Sequence, residues 1–182
     1  MQHKTVKQRE EEIFQKMKDS FHYKNAMAAP KVKKVVVNTG TGTAMKKDKN
    51  KNDAIVDRLA KITGQKASLR GAKQSISSFK VRQGDPIGAM VTLRGKRMYA
   101  FLEKLINVAL PRTKDFRGIK RTAVDNVGNL TIGIKEHTIF PETADEDIRD
   151  VFGLSITIVS SAKTKVEGLA FFENLGVPFK KE

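Results

Sequence analysis

PIGAMVTLR, residues 86–94, alternates without a break. Ile87, Ala89, Val91 and Leu93 fall on one side of an extended chain and Gly88, Met90, Thr92 and Arg94 on the other, the two-residue period of a half-buried strand. LTIGIK (130–135) repeats the pattern, with Leu130, Ile132 and Ile134 set against Thr131, Gly133 and Lys135, and LSITIVSS (154–161) repeats it again. KVKKVVVNTG (31–40) follows Pro30, is rich in β-branched residues and reads as a strand ended by Gly40. Each alternating strand has one apolar side to cover and one side of small, polar or basic residues. An antiparallel or mixed sheet tolerates an uncovered face of that kind, whereas an all-parallel sheet does not.

The stretches between the strands supply the cover. Val6, Ile13, Phe14, Met17 and Phe21 are spaced for one face of a helix over 5–21. Ile55, Val56, Leu59 and Ile62 form a second stripe, with Asn52 or Asp53 as N-cap and Gly64 as C-cap. Met98, Phe101, Leu102, Leu105, Ile106 and Ala109 trace a third, stopped by Pro111, and a last helix runs from Thr164 to Leu175 before Gly176. The expected fold class is α+β, an antiparallel or mixed sheet with helices packed on one face and the other face open and mildly basic. Residues 1–182 read as a single domain with long loops at about 73–86 and 113–128.

Thirty-five basic against 20 acidic side chains give a net charge of +15, a self-repulsion that points to a polyanionic partner. The charge is uneven: residues 1–135 hold 30 basic and 11 acidic groups (+19), and residues 136–182 hold 5 and 9 (−4). There are no cysteines, which removes disulfides, thiolate metal sites and cysteine nucleophiles and fits a reducing, cytoplasmic setting. No stretch approaches the ~20 apolar residues that span a bilayer, and the N-terminal MQHKTVKQREEEIF lacks the apolar core of a secretory signal.

Lys66 to Arg97 carries eight Lys or Arg and one acid, Asp85. Inside it SISSFKVRQGDPIG (75–88) mixes turn residues with Lys80 and Arg82 around one aromatic, Phe79, and reads as a solvent-reaching loop with donors for phosphate. Phe79 serves either as a stacking ring or as an anchor tucked under the loop. PRTKDFRGIKRTAVDNVGN (111–129) has the same ingredients around Phe116, and KKDKNKND (46–53) reads as a solvated loop.

Catalytic motifs fail. TGTGTAMKKD (39–48) follows a strand as a phosphate loop would, but aligned on Gly40 the second glycine falls on Met45 and Lys47 replaces the magnesium-binding Ser or Thr. His3, His22 and His137 have no paired metal spacing. The acidic cluster PETADEDIRD (141–150) lacks the glycine turn and ligand order of a calcium loop. It reads as a solvated turn or as a docking patch for a basic protein. No enzyme, metal site or cofactor is expected.

LAKITGQKA (59–67), AKQSISSFKVRQGDPIGAMVTLRGKRMYAFLEKLINVALPR (72–112), DFRGI (115–119), GN at 128–129, IFPE (139–142) and GLSITIVSSAK (153–163) together resemble the bacterial large-subunit ribosomal protein number five. That family is the 5S-rRNA-binding protein of the central protuberance, and the resemblance keeps motif order from about residue 5 to the C-terminal PFKK. It implies a sheet of about five strands with one face open for RNA, no catalysis, and a place in the cytoplasmic ribosome with neighbouring large-subunit rRNA and proteins. It implies 5S rRNA as a partner for Asn38, Gln65 and Thr92, with Lys66 and Arg94 on phosphates. It further implies P-site tRNA as the partner of the 73–86 loop through Lys73, Ser75, Lys80 and Arg82. The stretch 142–150, with Glu142, Asp145, Glu146 and Asp147, is implied to meet a basic small-subunit head protein across an intersubunit bridge. The chain departs from the family pattern at Ser68, Arg70, Gly71 and Met90, which redistributes the RNA footprint. The competing reading is a non-specific RNA or DNA chaperone acting through the same charge.

Overall fold

The computed structural model describes residues 4–41, 51–114, 116–143 and 151–180. Among these residues four helices and five strands form an α+β fold: α1 (Val6–Phe21), β1 (Val32–Gly40), α2 (Lys51–Thr63), β2 (Ser68–Gly71), β3 (Pro86–Leu93), α3 (Gly95–Lys104), β4 (Leu130–Ile134), β5 (Leu154–Ser160) and α4 (Lys165–Leu175). The sheet is antiparallel, in the order β2-β3-β1-β5-β4. The four strands with an alternating or β-branched signature lie where the sequence puts them. β2, four residues exposed along their whole length, carries no periodic signal and exists through its pairing with β3.

The chain groups into two compact units, and β1, β4 and β5 give residues to both. One comprises Met1–Val35, Arg94–Ile132 and Thr157–Glu182. In it α1 starts on a reciprocal cap: the Gln8 amide N donates to Thr5 Oγ1, and the Thr5 amide N donates to Gln8 Oε1. α1 buries Val6, Ile13 and Met17 and packs on α3 and α4. α3 widens after Lys104 into a π turn over Leu105–Ala109, closed by the Leu110 amide on the Leu105 carbonyl. All six stripe residues from Met98 to Ala109 are buried. α4 begins at the cap Thr164 and ends at Gly176, whose φ of 98° suits glycine alone; the Arg9 guanidinium donates to the Leu175 carbonyl there.

The other unit comprises Val36–Leu93 and Gly133–Ile156. α2 lays Ile55, Val56, Leu59 and Ile62, all buried, against β3. The helix already includes Lys51, so Asn52 and Asp53 lie inside it and neither is its N-cap; Gly64 closes it with a left-handed φ of 67°, as expected. The buried side of this unit's strands carries Val37, Thr39, Ala89, Val91 and Leu93. Thr39 Oγ1 satisfies its buried hydroxyl by donating to the Gly153 carbonyl at 2.7 Å.

Candidate nucleic-acid interface

In the unit Val36–Leu93 and Gly133–Ile156, the strand sides opposite α2 are open. On β1, exposed Asn38 and Gly40 alternate with buried Val37 and Thr39. On β3, half-buried Met90 and Thr92 alternate with buried Ala89, Val91 and Leu93. The antiparallel register sets Ser68 opposite Met90 and Arg70 opposite Gly88, so Ser68 and Arg70 stand on that same open side. Two departures from the family pattern, Ser68 and Met90, are therefore cross-strand partners. In the other unit the open side carries Thr131 and Thr157, whose hydroxyls lie 3.2 Å apart.

The polar groups proposed from sequence for RNA contact fall into distinct settings. Gln65 leaves α2 and donates its side-chain amide to the Thr92 main-chain carbonyl at 3.3 Å, which brings these two residues together. Among the described residues, Asn38's side chain and the Thr92 hydroxyl make no hydrogen bond. Lys66 is exposed beside Gln65. Arg94 is exposed, extended, and occupies the residue before α3.

The 73–86 loop folds back on itself. Ile76 and Val81 exchange two main-chain hydrogen bonds, a 3-10 turn spans Ser77–Phe79, and Lys80 takes a left-handed φ of 51°. At its base Ala72 donates to the Asp85 carbonyl and accepts from Gly84. Asp85, the one acid of the basic block, accepts from the Arg82 amide N at 2.8 Å, so its charge is engaged within the loop. Ser75 Oγ accepts from the Gln83 amide N at 2.9 Å, which gives this sequence-predicted contact an internal role as well. Lys73, Lys80 and Arg82 are exposed. The turn displays Phe79 with 62% of its surface open, so the ring is not an anchor under the loop. Phe116 of the second loop is half-buried.

Loop and strands together enclose an open cleft of about 850 Å³. Asn38 and Gly40 of β1, Arg70 of β2, and Lys73, Ile76 and Phe79 of the loop line it, and among the described residues no carboxylate does. The cleft thus joins Asn38 of one predicted group to Lys73 of the other. Neither periodicity nor motif spacing brings these residues together; the one signal in the sequence is that Arg70 breaks the family pattern.

Glu142 is exposed at a 3-10 turn, Pro141–Thr143. Asp145, Glu146 and Asp147, residues 42–48 of the glycine-rich stretch and residues 46–50 of the lysine-rich run lie outside the described residues. His137 is fully buried, stacked on Phe152 at 4.1 Å, and its Nδ1 accepts from the Phe152 amide N: a packing histidine. The second loop ends in a rigid turn, where Asp125 accepts from the amides of Val127 and Asn129 and from the Asn129 side chain. Burial raises the Asp125 pKa, but these bonds outweigh it and hold the carboxyl below its ordinary value.

Known proteins align with nearly all of this chain. Residues 25–82 match the family described as ribosomal protein L5, and residues 86–179 match the C-terminus of that ribosomal family. The large ribosomal subunit protein uL5 of Halothermothrix orenii is 49% identical over 176 residues, covering 97% of this chain and 98% of that protein. That of Trichlorobacter lovleyi is 50% identical over 169 residues (93% and 94%), and the uL5c of Cyanophora paradoxa is 48% identical over 170 residues (93% and 93%).

Proposed function

The chain belongs to the ribosomal protein L5 family, a structural, non-enzymatic constituent of the large ribosomal subunit, and from that premise we propose that it binds 5S rRNA and anchors it in the central protuberance. The observation that carries this reading is the open side of the sheet. Asn38 and Thr92 hold hydrogen-bonding groups that no described residue uses, Gln65 is fixed beside Thr92, and the exposed cations Lys66 and Arg94 flank Gln65 and Thr92 in sequence. Amides and hydroxyls of this kind read base edges and 2′-hydroxyls, while Lys66 and Arg94 hold phosphates. A sheet face meant for another protein layer would carry apolar residues instead.

The self-closed 73–86 loop, carrying Lys73, Lys80 and Arg82 outward, is the surface proposed to touch P-site tRNA, with Ser75 at its base. Glu142, with Asp145, Glu146 and Asp147, is proposed to meet a basic small-subunit head protein across an intersubunit bridge; the net charge of −4 over residues 136–182 suits a basic partner better than RNA. The test is selectivity at fixed salt. A 1:1 complex with 5S rRNA that survives excess competitor RNA supports the reading. Equal binding to any polyanion makes the protein a non-specific chaperone.

A further inference from the structure

We propose that the cleft between the 72–81 loop and the β1–β3–β2 edge is a pocket for one unstacked nucleotide, with the base against Phe79 and its phosphate on Arg70 and Lys73. This deepens the RNA-binding reading above and rests on it. Paired RNA offers protein a groove and a backbone, whereas an unpaired nucleotide offers a ring face, a polar edge and one charge. The cleft supplies a counterpart to each. Phe79 and Ile76 form an apolar wall, and both are open, at 62% and 45%. Asn38 presents an amide, both donor and acceptor, from the β1 floor. Arg70 and Lys73 are the cations among the described lining residues. At about 850 Å³ the space is within the range of small-molecule sites, roughly 300–1,000 Å³.

Two further features fit an occupant of this shape. The backbone that carries Phe79 is fixed by the Ile76–Val81 bonds and the Lys80 turn, so stacking has the side chain but not the loop main chain to order. Gly40 adds no side chain to the floor: among the described residues a Cβ built on it meets no atom within 4 Å, and its backbone is ordinary extended strand. Glycine there is required by neither fold nor φ, and its effect is to keep the cleft deep.

Gly40 therefore also provides the test. Gly40→Leu projects a side chain into space that no described residue occupies, and the full-length protein is expected to keep its melting temperature while the cleft is filled. The probe is an RNA hairpin with loop nucleotides replaced in turn by 2-aminopurine, alongside a blunt duplex of the same stem. The expected result is a fluorescence change at one loop position, absent with the duplex. Gly40→Leu and Phe79→Ala should each abolish it and weaken hairpin binding about tenfold, the scale of one base–aromatic stack, and Phe79→Tyr should stay within about twofold. Equal binding of hairpin and duplex, or variants that match the parent, overturns the proposal. The 5S competition assay on the same preparations separates the two readings. Selectivity for 5S rRNA retained with no response from the cleft variants overturns the pocket alone. A specific hairpin response without 5S selectivity supports the pocket and removes the 5S reading.

Discussion

Replacing Gly168 by alanine tests how the GN motif at 128–129 works. Gly168 lies in the first turns of α4, where the chain of the 125–129 turn passes against the helix. A Cβ on Gly168 would lie 2.6 Å from Gly128 Cα, 3.0 Å from its oxygen and 3.1 Å from its carbonyl carbon. Carbon atoms rest at about 3.5–4.0 Å, so the first contact is short by about 1 Å, and the obstacle is backbone, not a side chain that can rotate away. The turn cannot retreat freely. Asp125 ties it from within, Ser160 Oγ donates to the Gly128 carbonyl at 2.6 Å, and Asn129 Oδ1 accepts from the Ser160 amide N at 3.2 Å. Alanine regains about 1 kcal/mol of helix propensity. Overpacking costs ~1–3 kcal/mol, and each loosened turn bond about 1 kcal/mol more. The net expectation is a loss of about 1–3 kcal/mol, or roughly 3–10 °C in the apparent melting temperature of a chain this size. Scanning calorimetry of Gly168→Ala beside Gly133→Ala reads it, since a Cβ on Gly133 meets no described residue within 4 Å and that control should move by less than ~0.5 kcal/mol. A Gly168→Ala protein as stable as the parent, or more so, refutes the close-approach reasoning.

Other outcomes follow from the same structure. Tyr99 donates to Glu10 at 2.8 Å, and burial together with that carboxylate pushes its phenol well above the usual value near 10. Its contribution to stability is complete below about pH 10, where the unfolded phenol ionises, and is lost as the pH climbs further. Tyr99→Phe should therefore cost about 1–2 kcal/mol at neutral pH and flatten the fall in melting temperature above pH 10; a parallel fall in both proteins refutes this. Lys73→Ala and Arg82→Ala should each lower the slope of log K against log salt by about 1, alike across RNA sequences, and an unchanged slope removes that residue from the interface. Thr92→Val should lower preference for 5S rRNA and leave salt slope and stability alone, because Gln65 binds the main-chain carbonyl of residue 92. A steeper loss with salt and no loss of preference would mean that the open side is not what reads the RNA.

Periodicity tells which side of a strand is wet but not what stands beside it, and the candidate site divides along that line. The alternation of 86–94, 130–135 and 154–161 and the stripe from Met98 to Ala109 each reflect burial against one neighbouring layer, so they could be read residue by residue. Ser68–Gly71 could not. An edge strand exposed on both sides has no reason to alternate, and it is a strand because β3 lends it partners. The wide turn at Leu105–Ala109 was hidden for a related reason, since one additional residue per turn leaves the same apolar residues buried. The cleft depends on both kinds of information. Asn38 and Arg70 were recognisable as polar or basic positions, but their apposition to Phe79 follows from register and loop closure. The pairing shifts between Arg70 and Gly71, which brings Gly71 opposite Pro86, and a Cβ on Gly71 would lie 3.0 Å from the Gly84 carbonyl oxygen at the loop base. A small residue there lets the loop close tightly over β2. Two positions that broke the family pattern in sequence, Arg70 and Gly71, thus supply one wall of the cleft and the close crossing at the base of its loop.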